Sequence, residues 1–329
     1  MLSAQNFEPA NRGAPWLTVI MPVYRGERWI DAALTSLAEQ ADDGIELLVI
    51  DSSPDSSSAD IARRFADRIA MRVFENSPLG SWQSKTNYGV TIARADHICW
   101  LHQDDLWLPG RASAIRQWID AAPDAALHLA ASAIVDRCGR QIGVWRCPFK
   151  EEGEIHPKRF VERLLVQNFI SAPAPVYRKD AWLACGGLDE ELWYTGDWDV
   201  WLKLAASGPV HHHRKVTTAF RVHGNSLTVT GSRNIEDFER QMRVVLDRHL
   251  PRLPAGDKSI AIKVERASTA SIKVNCALAA ASGGAWRALV PAARSLLALG
   301  PLGLRRYMRD SRIVERLMPR LRAKLTGSF

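Results

Sequence analysis

The chain has 329 residues, 47% of them hydrophobic and 24% charged, a balance that excludes a disordered or fibrous protein and allows one large α/β domain with a smaller addition. No uninterrupted apolar run approaches the roughly 20 residues of a membrane span, and the five cysteines include no CxxC pair or zinc-site spacing, which suits a reducing cytosol. The net charge of +7 is uneven: residues 231–329 carry 19 Lys+Arg against 8 Asp+Glu, so the first 230 residues are net negative and a boundary is expected near residue 230.

The first fifteen residues read as a tail, with neither the basic nor the apolar region of a signal peptide. "WLTVIMPVY" (16–24) is short, apolar and rich in β-formers, a buried strand ending beside a proline. "RWIDAALTSLAEQA" then places Ile30, Leu34 and Leu37 at helical spacing. "IELLVIDSS" (45–53) is a second buried strand ending in Asp51. "ADIARRFADRI" reads as a helix, "MRVFEN" as a third strand, "SKTNYGVTIARA" as a helix and "DHICWLHQDD" as a fourth strand. Strands alternating with helices predict a mostly parallel sheet covered on both faces, whose ligands bind beyond the carboxyl ends of the strands. The polar endings Tyr24-Arg25, Asp51-Ser52 and Asp104-Asp105 all fall at that edge. Further on, residues 162–208 read as helix, extended segment, short helix, loop, and a helix beginning near Asp197. "PVHHHRKVTTAFRVHG" reads as one or two strands, and the chain beyond 231 as helices broken by Gly and Pro.

Four of these segments, in order and spanning roughly residues 16–227, resemble glycosyltransferase family 2, nucleotide-sugar-dependent enzymes of GT-A fold. "TVIMPVYRGERWIDAALTSLAEQ" resembles the opening strand and helix, and "IELLVIDSSPDSS" the strand with its acidic nucleotide loop. "KTNYGVTIARADHICWLHQDDLW" resembles the segment leading into the metal-binding acidic motif, and "GGLDEELWYTGDWDVWLKLA" the acceptor-side segment with the catalytic base. The resemblance implies a Rossmann-like catalytic domain over 16–230, with a nucleotide-binding half at about 16–110 and an acceptor half at about 111–230. A basic helical extension over 231–329 follows it. Three departures stand out: His102 replaces the first carboxylate of the family's Asp-x-Asp-Asp, Gly196 precedes Asp197 where Glu is usual, and Ser52 follows Asp51. No Gln-x-x-Arg-Trp motif of processive polymer synthases is present, so transfer of a single sugar is expected.

The implied chemistry needs a cation at a departing diphosphate and a base at the acceptor. Mn²⁺ or Mg²⁺ takes hard oxygen ligands. Asp105 is expected as the direct ligand, with Asp104 sharing the metal or binding the donor ribose or sugar. His223, in "FRVHGNSLT", resembles a histidine that faces the metal or diphosphate, and His102 is a metal contact or a packed neighbour. Asp197 is the candidate general base for inverting transfer; burial among Trp193, Trp198 and Trp201 is expected to raise its pKa. Its other reading is a helix N-cap, and Asp199 is read as structural. Pro22, Val23 and Tyr24 are expected around the nucleotide base and Asp51 on base or ribose, while Lys85 is either a nucleotide contact or a solvated helix lysine. Trp82 either flanks the donor or seals the core. His211, His212 and His213 alternate faces along a strand and cannot form one ligand cluster.

In the C-terminal region Leu304, Tyr307, Val314, Leu317 and Leu321 recur at near-helical spacing among arginines, and Pro319 is expected to interrupt the helix. Two readings stay open: a surface drawn to anionic lipid, or a stripe packed on the catalytic domain with its arginines solvated. The resulting expectation is a cytoplasmic inverting transferase at or near the inner face of the membrane. It takes a nucleotide-sugar, UDP-linked by default with GDP and dTDP open, and a glycan or lipid-linked acceptor of bacterial surface polysaccharide synthesis. Its competitor is a donor-binding GT-A-like module without transferase activity. Nucleic-acid binding is excluded, because no aromatic-basic RNA motif or zinc finger accompanies the basic tail.

Overall fold

The computed structural model describes residues 5–7, 13–253 and 258–328. Its first half alternates strands and helices as expected: β1 (Gln5–Phe7), β2 (Leu17–Val23), α1 (Ile30–Ala38), β3 (Ile45–Asp51), α2 (Ser57–Arg63), β4 (Ala70–Phe74), α3 (Trp82–Ile92) and β5 (His97–Trp100). The elements between Leu106 and Ile155 are findings of the structure alone: β6 (Leu106–Trp107), α4 (Arg111–Ala121), β7 (Leu127–Val135), β8 (Gln141–Trp145) and β9 (Gly153–Ile155). Then come α5 (Pro157–Val166), β10 (Val176–Arg178), α6 (Lys179–Cys185), α7 (Gly196–Leu204) and β11 (Val210–Arg221). The helices α8 (Leu227–Gly231), α9 (Ile235–His249), α10 (Lys258–Ser282), α11 (Leu289–Leu297), α12 (Gly300–Ser311) and α13 (Ile313–Leu325) complete the chain.

One sheet runs β1-β4-β3-β2-β5-β10-β7-β11-β6, with β8 on β7 and β9 on β11. Its long pairings are parallel, β4-β3-β2-β5 and β7-β11, while the antiparallel joins involve short strands. The tail contributes the edge strand β1, antiparallel to β4, which no pattern in three residues could announce. Successive residues of β2 feed opposite layers: Ile20 enters one apolar cluster, Val19 and Met21 the other, as the two-residue strand period requires. The first cluster continues through Trp100, Trp201 and Phe160 into Phe238 and Met242 of α9 and Ile272 of α10, so those helices close the same core.

The C-terminal stripe is divided: part of it packs inward, while Val314 and Leu321 stay exposed. Tyr307 is 1% exposed, and Ala323 is buried with Ile134, Trp145 and Val222. Two expectations are corrected here. First, α13 runs through Pro319 rather than breaking there. The ring sits on β8 at Gly143, where a Cβ would stand 2.5 Å from it, so tertiary packing offsets the ~3 kcal/mol that an internal proline costs a helix. The break falls instead at Arg312, whose φ of 50° is left-handed and separates α12 from α13. Second, Arg316 and Arg320 are not solvated; they turn inward over Trp145.

Candidate active site

The carboxyl ends of β2, β3 and β5 meet at one edge. Pro22 and Val23 lie in register with Ile50 and Asp51, and Ile20 with Trp100. The loop after β2 is tied to the acidic segment by a reciprocal clamp: the Tyr24 N–H donates to Gln103 Oε1 (2.9 Å), and Gln103 Nε2 donates to the Tyr24 carbonyl (3.1 Å). A Cβ at Gly26 would meet Gln103 Oε1 at 2.9 Å, so a larger residue there would displace the clamp. Pro22 and Val23 are buried under Tyr24, which is 52% exposed. Asp51 accepts from the Ser53 N–H (2.8 Å), and its other oxygen, Oδ2, is buried without a partner. Lys85 is buried, not solvated: Nζ donates to the Val23 carbonyl (2.6 Å) and stands 5.8 Å from the Tyr24 ring. Burial lowers its pKa to about 8 against the pull of Asp51.

The acidic pair splits into an outer and an inner carboxylate. Asp104 keeps a quarter of its side chain exposed and accepts from His223 Nε2 at 2.9 Å. Burial raises its pKa, but the His223 hydrogen bond and the nearby His102 and His223 hold it below the usual value. Asp105 lies behind it, 1% exposed. One oxygen accepts from the Arg221 N–H (3.0 Å); the other, 3.8 Å from His102 Nδ1, is buried without a hydrogen bond. Burial and then the Asp104 charge push the Asp105 pKa well up. Register shifts in β11 between His212 and Thr218 kink the strand before it delivers Arg221 and His223 to this edge. Arg221 braces the loop, donating Nε–H to the Asp104 carbonyl (2.8 Å) and Nη1–H to that of Asp136 (3.1 Å). His102 stacks on Trp100 and meets Trp82 edge-on, and burial lowers its pKa.

Asp197 sits in the first turn of α7 after the N-cap residue Thr195, so it is not the cap. Oδ1 accepts from the Trp198 N–H (2.7 Å) and Oδ2 from Asn168 Nδ2 (3.0 Å). Part of its surface reaches solvent, yet protein surrounds the carboxyl, and that burial raises its pKa to about 7 against those two hydrogen bonds. Asp199, two residues on, points the other way. His249 (2.8 Å), Lys203 (2.7 Å) and Arg248 (2.9 Å) hold it, and despite full burial its pKa falls to about 2. Asp199 therefore ties α7 to α9. No hydrogen bond or ion pair links Asp197 to Asp104 or Asp105 among the described residues. What joins them is an aromatic wall: Trp201 of α7 lies 4.9 Å from Trp100, which stacks on His102, and Trp82 Nε1 donates to the Trp193 carbonyl (3.4 Å).

The histidine run divides as its period requires. His211 and His213 face His128 (His213 at 3.1 Å), while His212 Nδ1 donates to the Glu151 carbonyl (2.7 Å) on the other face. Gln103, Asn168 and Arg221 escaped sequence reasoning. Gln103 stands at the variable position of the acidic motif; Asn168 and Arg221 carry no local signal.

Residues 18–179 match the model for glycosyl transferase family 2. The chain is a family 2 glycosyltransferase. A glycosyltransferase of Rickettsia typhi is 25% identical over 240 residues, 70% of this chain and 71% of that one. Among solved structures, S. aureus TarS 1–349 in complex with UDP-GlcNAc superposes with a TM-score of 0.55 at 16% identity, covering 95% of this chain and 92% of that one. Mannosyltransferase PcManGT from Pyrobaculum calidifontis, in complex with GDP-Man and Mn²⁺, gives 0.55 at 18% identity, covering 98% and 90%. A longer TarS structure gives 0.60 at 20% identity, but this chain covers only 43% of it. At these identities the superpositions establish the GT-A fold of the transferase and nothing about its own sugar. No helix among the described residues is long and apolar enough to cross a membrane.

Proposed function

We propose that this transferase moves one sugar, with inversion, from a nucleotide-sugar to an acceptor hydroxyl, using Asp197 as base and a divalent cation at the donor diphosphate. The observation that carries the reading is the pair of opposed carboxylate environments at one aromatic wall. Asp104 is held ionised beside His223, and Asp197 is pushed to about 7, where a base can both hold and release a proton.

On the donor side, the unpartnered Asp51 Oδ2 is an acceptor for a base or ribose donor, and Tyr24 is free to cover the base. The sequence favours Asp105 as direct metal ligand; the geometry favours Asp104 with its His223 partner, because Asp104 is a quarter exposed while Asp105 lies buried behind it with one oxygen taken by the Arg221 N–H. Carboxylate oxygen plus imidazole nitrogen suits Mn²⁺ better than Mg²⁺. No group of three or more His, Cys, Asp or Glu converges among the described residues. The cation supplies Lewis-acid stabilisation of the departing diphosphate. His102, stacked and buried, is read as wall rather than ligand. On the acceptor side Asn168 orients the Asp197 carboxylate. That group takes the hydroxyl proton as the oxygen attacks C1 and the C1–O bond to the nucleoside diphosphate breaks.

A thermal-shift screen of UDP-, GDP- and dTDP-sugars with Mn²⁺ tests the reading, followed by assay of slow donor hydrolysis. Mn²⁺-dependent stabilisation by one nucleotide class, with hydrolysis, is the expected result. Stabilisation without any hydrolysis or transfer supports the donor-binding module instead.

Peripheral membrane contact follows from a second surface. Leu297 (73% exposed), Leu302 (82%) and Leu325 (88%) project from the C-terminal helices among Arg294, Arg305 and Arg322, a pairing that fits an anionic lipid surface. Co-sedimentation with phosphatidylglycerol vesicles, and its loss in Leu297→Asp/Leu302→Asp, is expected; equal sedimentation of both proteins removes the contact. A lipid-linked acceptor and a role in bacterial surface polysaccharide synthesis belong to this same reading.

A further inference from the structure

Two arginines of α13, Arg316 and Arg320, stand four residues apart and share one face, and Arg312 precedes them at the N-cap. That face turns toward the catalytic domain. Arg316 and Arg320 each lie 5.9 Å from the Trp145 ring at the end of β8. No carboxylate pairs with either among the described residues. In Arg316, Nε and Nη1 are buried with no hydrogen-bond partner at all, and only Nη2 reaches a weak acceptor, Asn275 Oδ1 at 3.4 Å. A guanidinium is never neutral in practice, so orphaned donors on it carry a large desolvation cost. Burial lowers the pKa of both, that of Arg320 to about 10, and Arg316 adds to the second effect by repulsion. The same two side chains act on Tyr194, three residues before Asp197, and Asp197 acts on it as well.

At its other end the stripe opens into a cavity of about 920 Å³, which Arg312 helps to line. Eight of its lining residues are Lys or Arg, against the single carboxylate of Glu152. Arg159, Arg163, Arg309 and Arg312 have acidic neighbours in Glu151, Asp310 and Glu315. The side chains of Arg146, Lys150, Arg214 and Lys215 make no ion pair within 4 Å among the described residues; the nearby carboxylates of Glu315, Glu151 and Glu152 accept from the backbone N–H groups of Arg146, Lys150 and Arg214. Even with those three flanking carboxylates included, four positive charges stay uncompensated. Arg163 is lowered by burial and then by the Arg309 charge, so the cations crowd one another. Crowded, part-buried cations around a concavity are the reverse of what stability alone selects, and a bound polyanion relieves both costs.

We propose that the cavity and the inward stripe of α13 bind a phosphate-bearing acceptor, its diphosphate or phosphodiester group lodged among Arg146, Lys150 and Arg214 and its hydroxyl end led past Arg316 and Arg320 toward Asp197. The acceptor role rests on the reading of Asp197 given above; the anion site does not. A small concave pocket of this volume takes a head group or one or two phosphate units. Guanidinium forks match their oxygens in bidentate fashion.

The test is calorimetric titration of the full chain with sodium pyrophosphate, in metal-free buffer with saturating UDP to occupy the donor site. Wild type is expected to bind. The exposed triple variant Arg146→Gln/Lys150→Gln/Arg214→Gln is expected to bind at least tenfold more weakly, with UDP affinity and donor hydrolysis unchanged, while Arg316→Gln, which does not line the cavity, is expected to bind pyrophosphate as wild type does. Dihexanoyl phosphatidic acid, titrated in the same way, separates the sources: binding tighter than pyrophosphate and lost in the triple variant assigns a lipid head group, and weaker binding assigns a soluble phosphodiester. Absence of pyrophosphate binding to wild type, or equal binding by the triple variant, overturns the site. If Arg316→Gln fails to fold by circular dichroism, the triple variant decides alone. Pyrophosphate binding in a protein that hydrolyses no donor overturns the acceptor role and leaves the anion site standing.

Discussion

Asp197→Asn is expected to lower kcat by about 10²- to 10⁴-fold, the usual contribution of a positioned general base, while donor affinity stays within a factor of two. The substitution keeps the shape and, with its one amide oxygen, one of the two accepted hydrogen bonds from the Trp198 N–H and Asn168, and it removes the capacity to accept a proton. In the wild-type enzyme the group must be ionised to act. Its pKa is raised to about 7 by burial, so kcat is expected to fall as pH drops through about 7 and to level off above it. The effect on stability runs the opposite way. The folded pKa lies above the ordinary aspartate value of about 3.9, so the folded state holds the proton more tightly, and wild-type stability declines as pH rises from about 4 to about 7. Asn, always neutral, escapes that decline, so the variant is expected to be at least as stable as wild type at pH 8. Loss of turnover with undiminished stability is an outcome that a merely structural Asp197 cannot produce. Full activity of Asp197→Asn, or a kcat independent of pH from 5 to 9, removes the base assignment.

The second large effect is at the metal. Asp104→Ala and His223→Ala are each expected to abolish the Mn²⁺-dependent part of the thermal stabilisation by UDP. Ligand stabilisation follows RT ln(1 + [L]/Kd), so about 2.7 kcal/mol at a hundredfold excess over Kd disappears when binding is lost. Asp105→Ala is expected to behave differently. It leaves the buried Arg221 N–H without its acceptor, at a cost of about 1–3 kcal/mol to the ligand-free protein. If Asp104→Ala keeps the full Mn²⁺-dependent shift and Asp105→Ala loses it, the inner carboxylate is the ligand after all and the assignment reverts to the one the sequence favours.

Much of this is legible in the sequence because it is local. Strand and helix periodicity from Leu17 to Trp100 is carried by residues that alternate between two cores, and the polar endings at Tyr24, Asp51 and Asp104 mark the carboxyl edge on which such sheets bind ligands. The region from Leu106 to Ile155 was less legible. β7 is buried along all nine residues and shows no alternation, and β6, β8 and β9 are too short to carry a pattern. Lys85 looks like any helix lysine until the Val23 carbonyl is found 2.6 Å from its nitrogen.

The sequence by itself determined the family resemblance, the order of the elements from Leu17 to Trp100 and the residue types available at the sheet edge, because each of these is written in spacings of a few residues. Tertiary structure decided which of two adjacent aspartates faces outward, that Asp197 is held by Asn168, and that arginines read as solvated turn inward toward Tyr194. Those outcomes depend on contacts between residues 29 to more than 100 positions apart, such as Asn168 with Asp197 and Arg221 with Asp105. Burial and charge partnership are set by the packed whole, and no spacing along a single segment encodes them.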